Sequence, residues 1–206
     1  MAIFKKKVTA NQALTLAYGE VGYAEKPVNQ TKYGVYFHMN GAQWCGLFVQ
    51  WVWAQAGWKI GKDFPYTYYT PAGVAGWTKI HRIKKSGTPK PGDQLFFNFP
   101  NDSLDRVSHT GFFVGTVGKG VNKRWITIEG NTAGPKKISS DPRNGGEVAV
   151  CSRDPKFVVC WAEVPYTPAP TPIVDVIVKK WQEQNAPKPV KKVAKKVAKK
   201  TVKKVK

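Results

Sequence analysis

Apolar positions follow two regimes along this chain. Before about residue 90 they recur at helical spacing; after Lys90-Pro91-Gly92 they fall in short blocks separated by turn residues. Thr9 followed by Gln12 has the form of a capping box and opens a helix to about Tyr18, ended by Gly19 and Gly22. Residues 26–43, rich in Asn, Gly and Gln, read as loop. The run from Cys45 to Ala54 then sets Leu47, Phe48, Trp51, Val52 and Ala54 on one broad face of a buried helix. Gly57 suits its C-terminal cap, and Cys45 falls in its first turn. Thr70-Pro71 starts a short helix over residues 72–80. Five short strands follow, at 95–97, 111–117, 124–128, 147–151 and 157–164. Helices first and an antiparallel sheet afterwards predict an α+β fold.

Residues 165–172 alternate Pro with small or polar residues and read as a linker, so residues 1–164 are expected to form one catalytic-sized body. Within 165–190 a short helix is predicted over Ile173–Gln184, with a second spacer at Ala186–Pro189. From Lys191 to Lys206 the chain is a lysine-rich quasi-repeat with Val193, Val197, Thr201 and Val205 near one helical stripe. Val is a poor helix former and the lysines repel one another, so this tail is expected to be disordered when free.

The formal charge of +20 divides in two: residues 1–165 carry 21 Lys+Arg against 11 Asp+Glu, and residues 166–206 carry 12 against 2. Body and tail are thus each basic by +10, which points to a polyanionic partner: an anionic wall polymer, a membrane surface or nucleic acid. No RNA-recognition, zinc-finger or helix-turn-helix signature accompanies that charge. No apolar stretch approaches the roughly 18 residues of a spanning helix, and the N-terminal lysines are not followed by a signal-peptide core. The three cysteines, Cys45, Cys151 and Cys160, make no CxxC pair and have no His at ligand spacing, which argues against structural zinc. Cys151 and Cys160 fall on successive predicted strands, but a hairpin turning at Arg153-Asp154-Pro155 does not set them opposite each other, so no bridge is expected.

Cys45 is the first candidate for chemistry. The thiolate is the nucleophile, and the free N–H groups of a helix N-terminus favour that anion. Alone, a Cys before an apolar helix is more often a small core residue. A nucleophilic Cys needs a base, and the base an orienting group. Of the three histidines, His38 lies in the loop and His81 in a Lys/Arg-rich stretch, whereas His109 opens a strand. Glu129 ends the next strand, where a carboxylate could accept an imidazole N–H and fix its tautomer; Asn131 could do the same.

The blocks Asn29–Gly34, Trp44–Trp51, Pro91–Phe97, Ser108–Gly111 and Ile128–Thr132 occur in an order that resembles the CHAP domain. CHAP is the cysteine/histidine-dependent amidohydrolase/peptidase module of phage endolysins and bacterial wall hydrolases. The resemblance implies a papain-like α+β fold and hydrolysis of a peptidoglycan amide bond, at the muramoyl–L-alanine link or within the wall peptide. It implies Cys45 as nucleophile, His109 as base, Glu129 as the orienting acid and Asn131 as an assisting polar group. Oxyanion candidates are the Cys45 backbone N–H and Gln43, and Tyr33 and Trp44 are candidates for the substrate groove. Some CHAP domains carry an Asp-rich calcium loop ahead of the Cys. Here residues 29–33 have no carboxylate and contain Lys32, so no metal is expected there, and no cofactor elsewhere.

Together these features predict a peptidoglycan hydrolase of the endolysin type, made in the host cytoplasm and reaching the wall through a holin-type lesion, with the Lys191–Lys206 tail adding attraction to an anionic surface. Two alternatives remain: an NlpC/P60-type endopeptidase, whose usual Asp-Cys-Ser context differs from Trp44-Cys45-Gly46, and a non-enzymatic basic binder of nucleic acid or cell surface.

Overall fold

Thr9 and Gln12 cap each other as their spacing implies: the Gln12 N–H donates to Thr9 Oγ1 at 3.1 Å and the Thr9 N–H to Gln12 Oε1 at 2.9 Å. Helix α1 (Ala10–Gly19) starts from that box in the computed structural model, which describes residues 7–100, 104, 106–134 and 144–186. Helix α2 (Lys32–Tyr36) lies inside the stretch expected to be loop; it is a single capped turn whose Thr31 Oγ1 accepts from the Gly34 N–H. Five residues are too few to imprint a periodic pattern. Helix α3 (Cys45–Ala56) ends at Gly57, whose φ of 101° is the left-handed cap conformation. Helix α4 (Thr70–Lys79) begins with Pro71 in its first turn.

The sheet is antiparallel with six strands, β1 (Ile83–Lys84), β2 (Gln94–Phe97), β3 (His109–Val117), β4 (Arg124–Thr132), β5 (Glu147–Arg153) and β6 (Val158–Ala162), in the order β1-β6-β2-β3-β4-β5. The helices and this sheet make the α+β fold the pattern predicted. β1, with two residues, is too short to read in advance. β6 leaves its sequence neighbour and inserts between β1 and β2, which hydrophobic pattern alone does not encode. That crossover sets Cys151 and Cys160 on strands separated by three others, and both are free thiols.

One sheet face meets the helices. Phe112, Val114, Ile126, Ile128 and Val148 pack against the buried faces of α1 and α3. Trp53 lies at the centre of that core, its ring centroid 4.6 Å from Phe64, 5.6 Å from Phe112 and 5.9 Å from Trp77. The opposite face carries a smaller cluster of Leu95, Phe97, Phe113, Trp125 and Trp161. Most of the tryptophans are therefore core. Each large side chain removed from water there is worth about 1.5–3 kcal/mol.

The linker expectation needs correction. Residues 165–186 do not lead away from the body; they run back over it. Tyr166 stacks on Trp58, its hydroxyl accepts from Trp53 Nε1 at 2.8 Å and donates to the Gly92 carbonyl at 3.1 Å. Helix α5 (Ile173–Asn185) then lies on α1 and β3, with Ile177 buried and Val174 and Val178 close to Gly115. Proline content signalled the absence of regular structure correctly but not the docking, which depends on the Tyr166 ring. The Lys191–Lys206 tail lies outside the described residues.

Candidate active site

Cys45 is the first residue of α3, and its side chain is buried to about 5% exposure. The next residue must be Gly: a Cβ on Gly46 would lie 2.2 Å from the Thr67 carbonyl oxygen and 2.7 Å from that of Tyr68. The 67–69 segment thus crosses directly over the first turn of the helix. Gln50, one turn on, holds it there by accepting from the Thr67 N–H at 2.7 Å.

His109 comes from the first residue of β3, paired with Phe97 at the end of β2. The rings of Phe97 and Phe99 each lie 5.8 Å from its imidazole and keep water from it. Its Nε2 donates to Glu129 Oε2 at 2.9 Å, which leaves the other ring nitrogen for its hydrogen bond with Cys45. Burial by itself would lower the His109 pKa. Hydrogen bonds to Cys45 and Glu129, together with their negative charge, outweigh it and raise the imidazolium to about 9.

Glu129 is fully buried and receives more than the histidine. Thr127 Oγ1 donates to its Oε1 at 2.5 Å and Thr132 Oγ1 to its Oε2 at 3.2 Å. Arg153 grips both oxygens, Nε to Oε1 at 2.9 Å and Nη2 to Oε2 at 2.5 Å, and Nη2 also donates to Thr132. Burial would push this carboxyl up, but the Arg153 charge first, then its hydrogen bonds and those of His109, hold it well below the usual carboxylate range. Charge therefore alternates from Arg153 through Glu129 to His109, which meets Cys45. Cys151 sits beside this cluster, but burial and the neighbouring Glu129 push its thiol up to about 12, so it stays protonated.

Two glycines make room for this arrangement. A Cβ on Gly111 would lie 2.5 Å from Glu129 Cγ, so the second residue after His109 must be bare for the carboxyl to reach the imidazole. Gly130 likewise lets β4 close on Phe48 and Trp44.

The remaining sequence candidates distribute differently. Asn131 occupies the register shift in β4 with a φ of +54°, a conformation Asn tolerates, and its Oδ1 accepts from the Gly146 N–H at 3.3 Å. Among the described residues no hydrogen bond joins it to His109. By making the bulge it turns Thr132 onto Glu129, so its connection to the site runs through the backbone. Gln43 is exposed on the cleft wall two residues before Cys45.

Tyr33 and Trp44 are not groove residues, and that expectation is corrected. Both are fully buried and stacked on each other at 5.3 Å. The Tyr33 hydroxyl donates to Glu20 at 2.6 Å and Trp44 Nε1 to Glu25 at 2.7 Å. Lys32, the first residue of α2, pairs with Glu20 at 2.5 Å and lies over the rings of Tyr23, Tyr33 and Trp51. Among the described residues no cluster of three or more His, Cys, Asp or Glu is placed to hold a metal ion.

The groove is lined instead by Met39, Ala42, Gln43, Tyr68, Tyr69 and Arg106, with Cys45 at its wall, and has a volume of about 500 Å³. Tyr68 and Tyr69 are 42% and 48% exposed there. Sequence reasoning missed Arg153, Thr127, Arg106 and both tyrosines. Of these only Thr127 carried a signal, as a polar residue two positions before Glu129 on one strand face.

A helix-borne cysteine, a strand-borne histidine and a buried acid beside a cleft are the groups that cysteine–histidine hydrolysis needs. The CHAP domain family model matches residues 37–131, a span that holds Cys45, His109 and Glu129, and this match supports a CHAP-domain protein. CHAP domains are cysteine- and histidine-dependent amidohydrolases and peptidases, and the activity they indicate is amide hydrolysis in peptidoglycan. No curated protein matches the chain. α1, β5, β6, α5 and Arg153 lie outside the matched span yet complete the sheet and the acid's environment.

Proposed function

We propose that the protein cleaves an amide bond in the peptide part of peptidoglycan with Cys45 as nucleophile, His109 as general base and acid, and Glu129 as its orienting partner. The observation that carries this reading is the buried 2.9 Å contact between His109 Nε2 and Glu129, with the other imidazole nitrogen left to Cys45 at the head of α3. The Cys45 thiolate attacks the carbonyl carbon, and the His109 imidazolium protonates the departing amine as the C–N bond breaks. Water then adds to the thioester, gives its proton to His109, and the thiolate leaves. The Cys45 backbone N–H and the Gln43 amide are the donors available to the oxyanion. The bond is the muramoyl–L-alanine amide or a peptide bond of the stem or bridge.

The biological role proposed is that of a phage endolysin, which accumulates in the host cytoplasm and meets the wall after a holin-type lesion opens. The net charge of +20 supports attraction to an anionic wall polymer or membrane, with the Lys191–Lys206 segment as its densest part. The same charge would also hold nucleic acid non-specifically.

Purified peptidoglycan digested with the wild type and with Cys45→Ala tests the chemistry. Fragments released by the wild type alone, with new termini read by mass spectrometry, assign the bond. Equal release by both proteins, or by neither on several wall types, defeats it. Expression inside a bacterium with and without a pore-forming partner tests the role: lysis only with the partner is expected, and lysis without it refutes the endolysin route.

A further inference from the structure

Arg106 differs from Arg124 and Arg153, whose guanidiniums are paired with carboxylates. Arg153 is paired with Glu129 and Arg124 with Asp154 at 3.2 Å. Arg106 has no carboxylate partner among the described residues. Its guanidinium lies over the Tyr69 ring at 5.4 Å from the centroid, and its Nη1 donates to the Val107 carbonyl at 3.2 Å. That carbonyl also accepts from Thr70 Oγ1 at 3.0 Å, so the segment carrying the arginine is tied to the start of α4. The group is held in orientation from one side and by one nitrogen, which leaves the rest of its donor fork to the cleft.

Among the described residues lining the cleft at Cys45 it is the one with a formal charge; the others are Met, Ala, Gln, Cys, Tyr, Thr, Leu and Ser. An oriented guanidinium on an aromatic-walled groove selects a planar anion, because its fork matches a carboxylate in two hydrogen bonds. Peptidoglycan stem peptides carry free carboxylates close to the amides that such enzymes cut, and some walls carry carboxamides at the same positions.

We propose that Arg106, steadied on Tyr69, forms a carboxylate-binding subsite in the catalytic cleft and makes the protein prefer stem peptides with a free carboxylate over their carboxamide counterparts. The inference rests on the wall-hydrolase reading, and its test is arranged to separate the two.

Binding is measured first, with the Cys45→Ala protein, by calorimetric titration of two synthetic muramoyl stem peptides that differ only in carboxylate versus carboxamide. The carboxylate form is expected to bind about tenfold more tightly or better, as a charge-assisted pair in a partly exposed cleft allows. Arg106→Met is expected to bring that ratio to about one, and Arg106→Lys to keep part of it. With Cys45 present, the same ratio is expected in kcat/KM, carried by KM rather than kcat.

A wild-type ratio near one overturns the subsite. So does a ratio that survives Arg106→Met, or a loss in that variant that is equal for both peptides. If Arg106→Met does not fold by its thermal transition, the wild-type ratio and the Arg106→Lys ratio still decide. Preferential binding without any cleavage would defeat the hydrolase reading and leave the subsite standing. Cleavage without preference would do the reverse.

Discussion

Arg153 changes what Glu129 can do for His109. An unshared buried carboxylate would place its whole charge on the imidazole. Here a guanidinium bound to both oxygens takes part of it and fixes the plane of the carboxyl. Arg153→Gln is expected to lower kcat about 10- to 100-fold, since small misplacement of a catalytic group costs that much. It should also move the alkaline limb of the rate profile to higher pH, because Glu129 then stabilises the imidazolium more strongly. Arg153→Lys should return the limb toward its original position more than it restores kcat, having the charge without the fork. A kcat/KM profile against pH for the three proteins checks this; an unmoved limb in Arg153→Gln refutes it.

The direction of the wild-type pH dependence follows from the same groups. His109 has its pKa raised to about 9 from 6.5, so its charge stabilises the folded protein fully below about pH 6.5. That contribution is lost as pH rises through about 9, where, on the proposed mechanism, the leaving amine would also lose its proton donor. Activity and urea midpoint should therefore fall together between about pH 8 and 10, and the fall in stability should be smaller in His109→Ala. Cys45 and His109 were legible as candidates because each opens an element, and Glu129 because a carboxylate in an apolar strand needs a reason. Arg153 was not, because its approach to Glu129 depends on the β4–β5 register, in which it pairs with Trp125. Tyr33 and Trp44 were misread because an aromatic beside a catalytic motif looks the same whether it faces a ligand or the core.

At the scale of elements, the site depends on how closely backbones approach. Helix α3 can present Cys45 to the cleft only while the 67–69 segment lies over its first turn, and Gly46 permits that. Gly46→Ala forces a shift of backbone rather than of a side-chain end. The expected result is loss of most activity and a destabilisation of about 1–3 kcal/mol, typical of overpacking. The Cβ added by Gly111→Ala would meet Glu129 Cγ at 2.5 Å and the Ile128 carbonyl oxygen at 2.8 Å, so kcat should fall together with the unfolding midpoint. Parallel kinetics and thermal melts of the two variants check both effects. Helical and strand patterns revealed α1, α3, α4, α5 and the five strands β2 to β6. They could not reveal α2 or β1, which are shorter than a period can register, nor the insertion of β6, which is a choice of partner rather than of conformation.

At the scale of the whole molecule, the chain after residue 164 contains two parts with different work. Residues 165–186 belong to the body: without Tyr166 the buried Trp53 Nε1 loses its acceptor, a loss worth about 1–3 kcal/mol in itself. Truncation after residue 164 should therefore lower the melting temperature sharply and take activity with it through unfolding. Residues 187–206 hold ten lysines and no acid, so truncation after residue 186 halves the net charge from +20 to +10. If attraction to an anionic wall depends on that charge, this shorter protein keeps its melting temperature and its kcat on soluble fragments. It should lose rate on intact walls at low salt, and its rate should fall less steeply as salt rises, because fewer counterions are released on binding. Lytic rate on whole sacculi against salt concentration, for the full chain and the protein ending at residue 186, measures the difference. Equal slopes would show that the basic body alone supplies the attraction, and would assign the last twenty residues no part in reaching the wall.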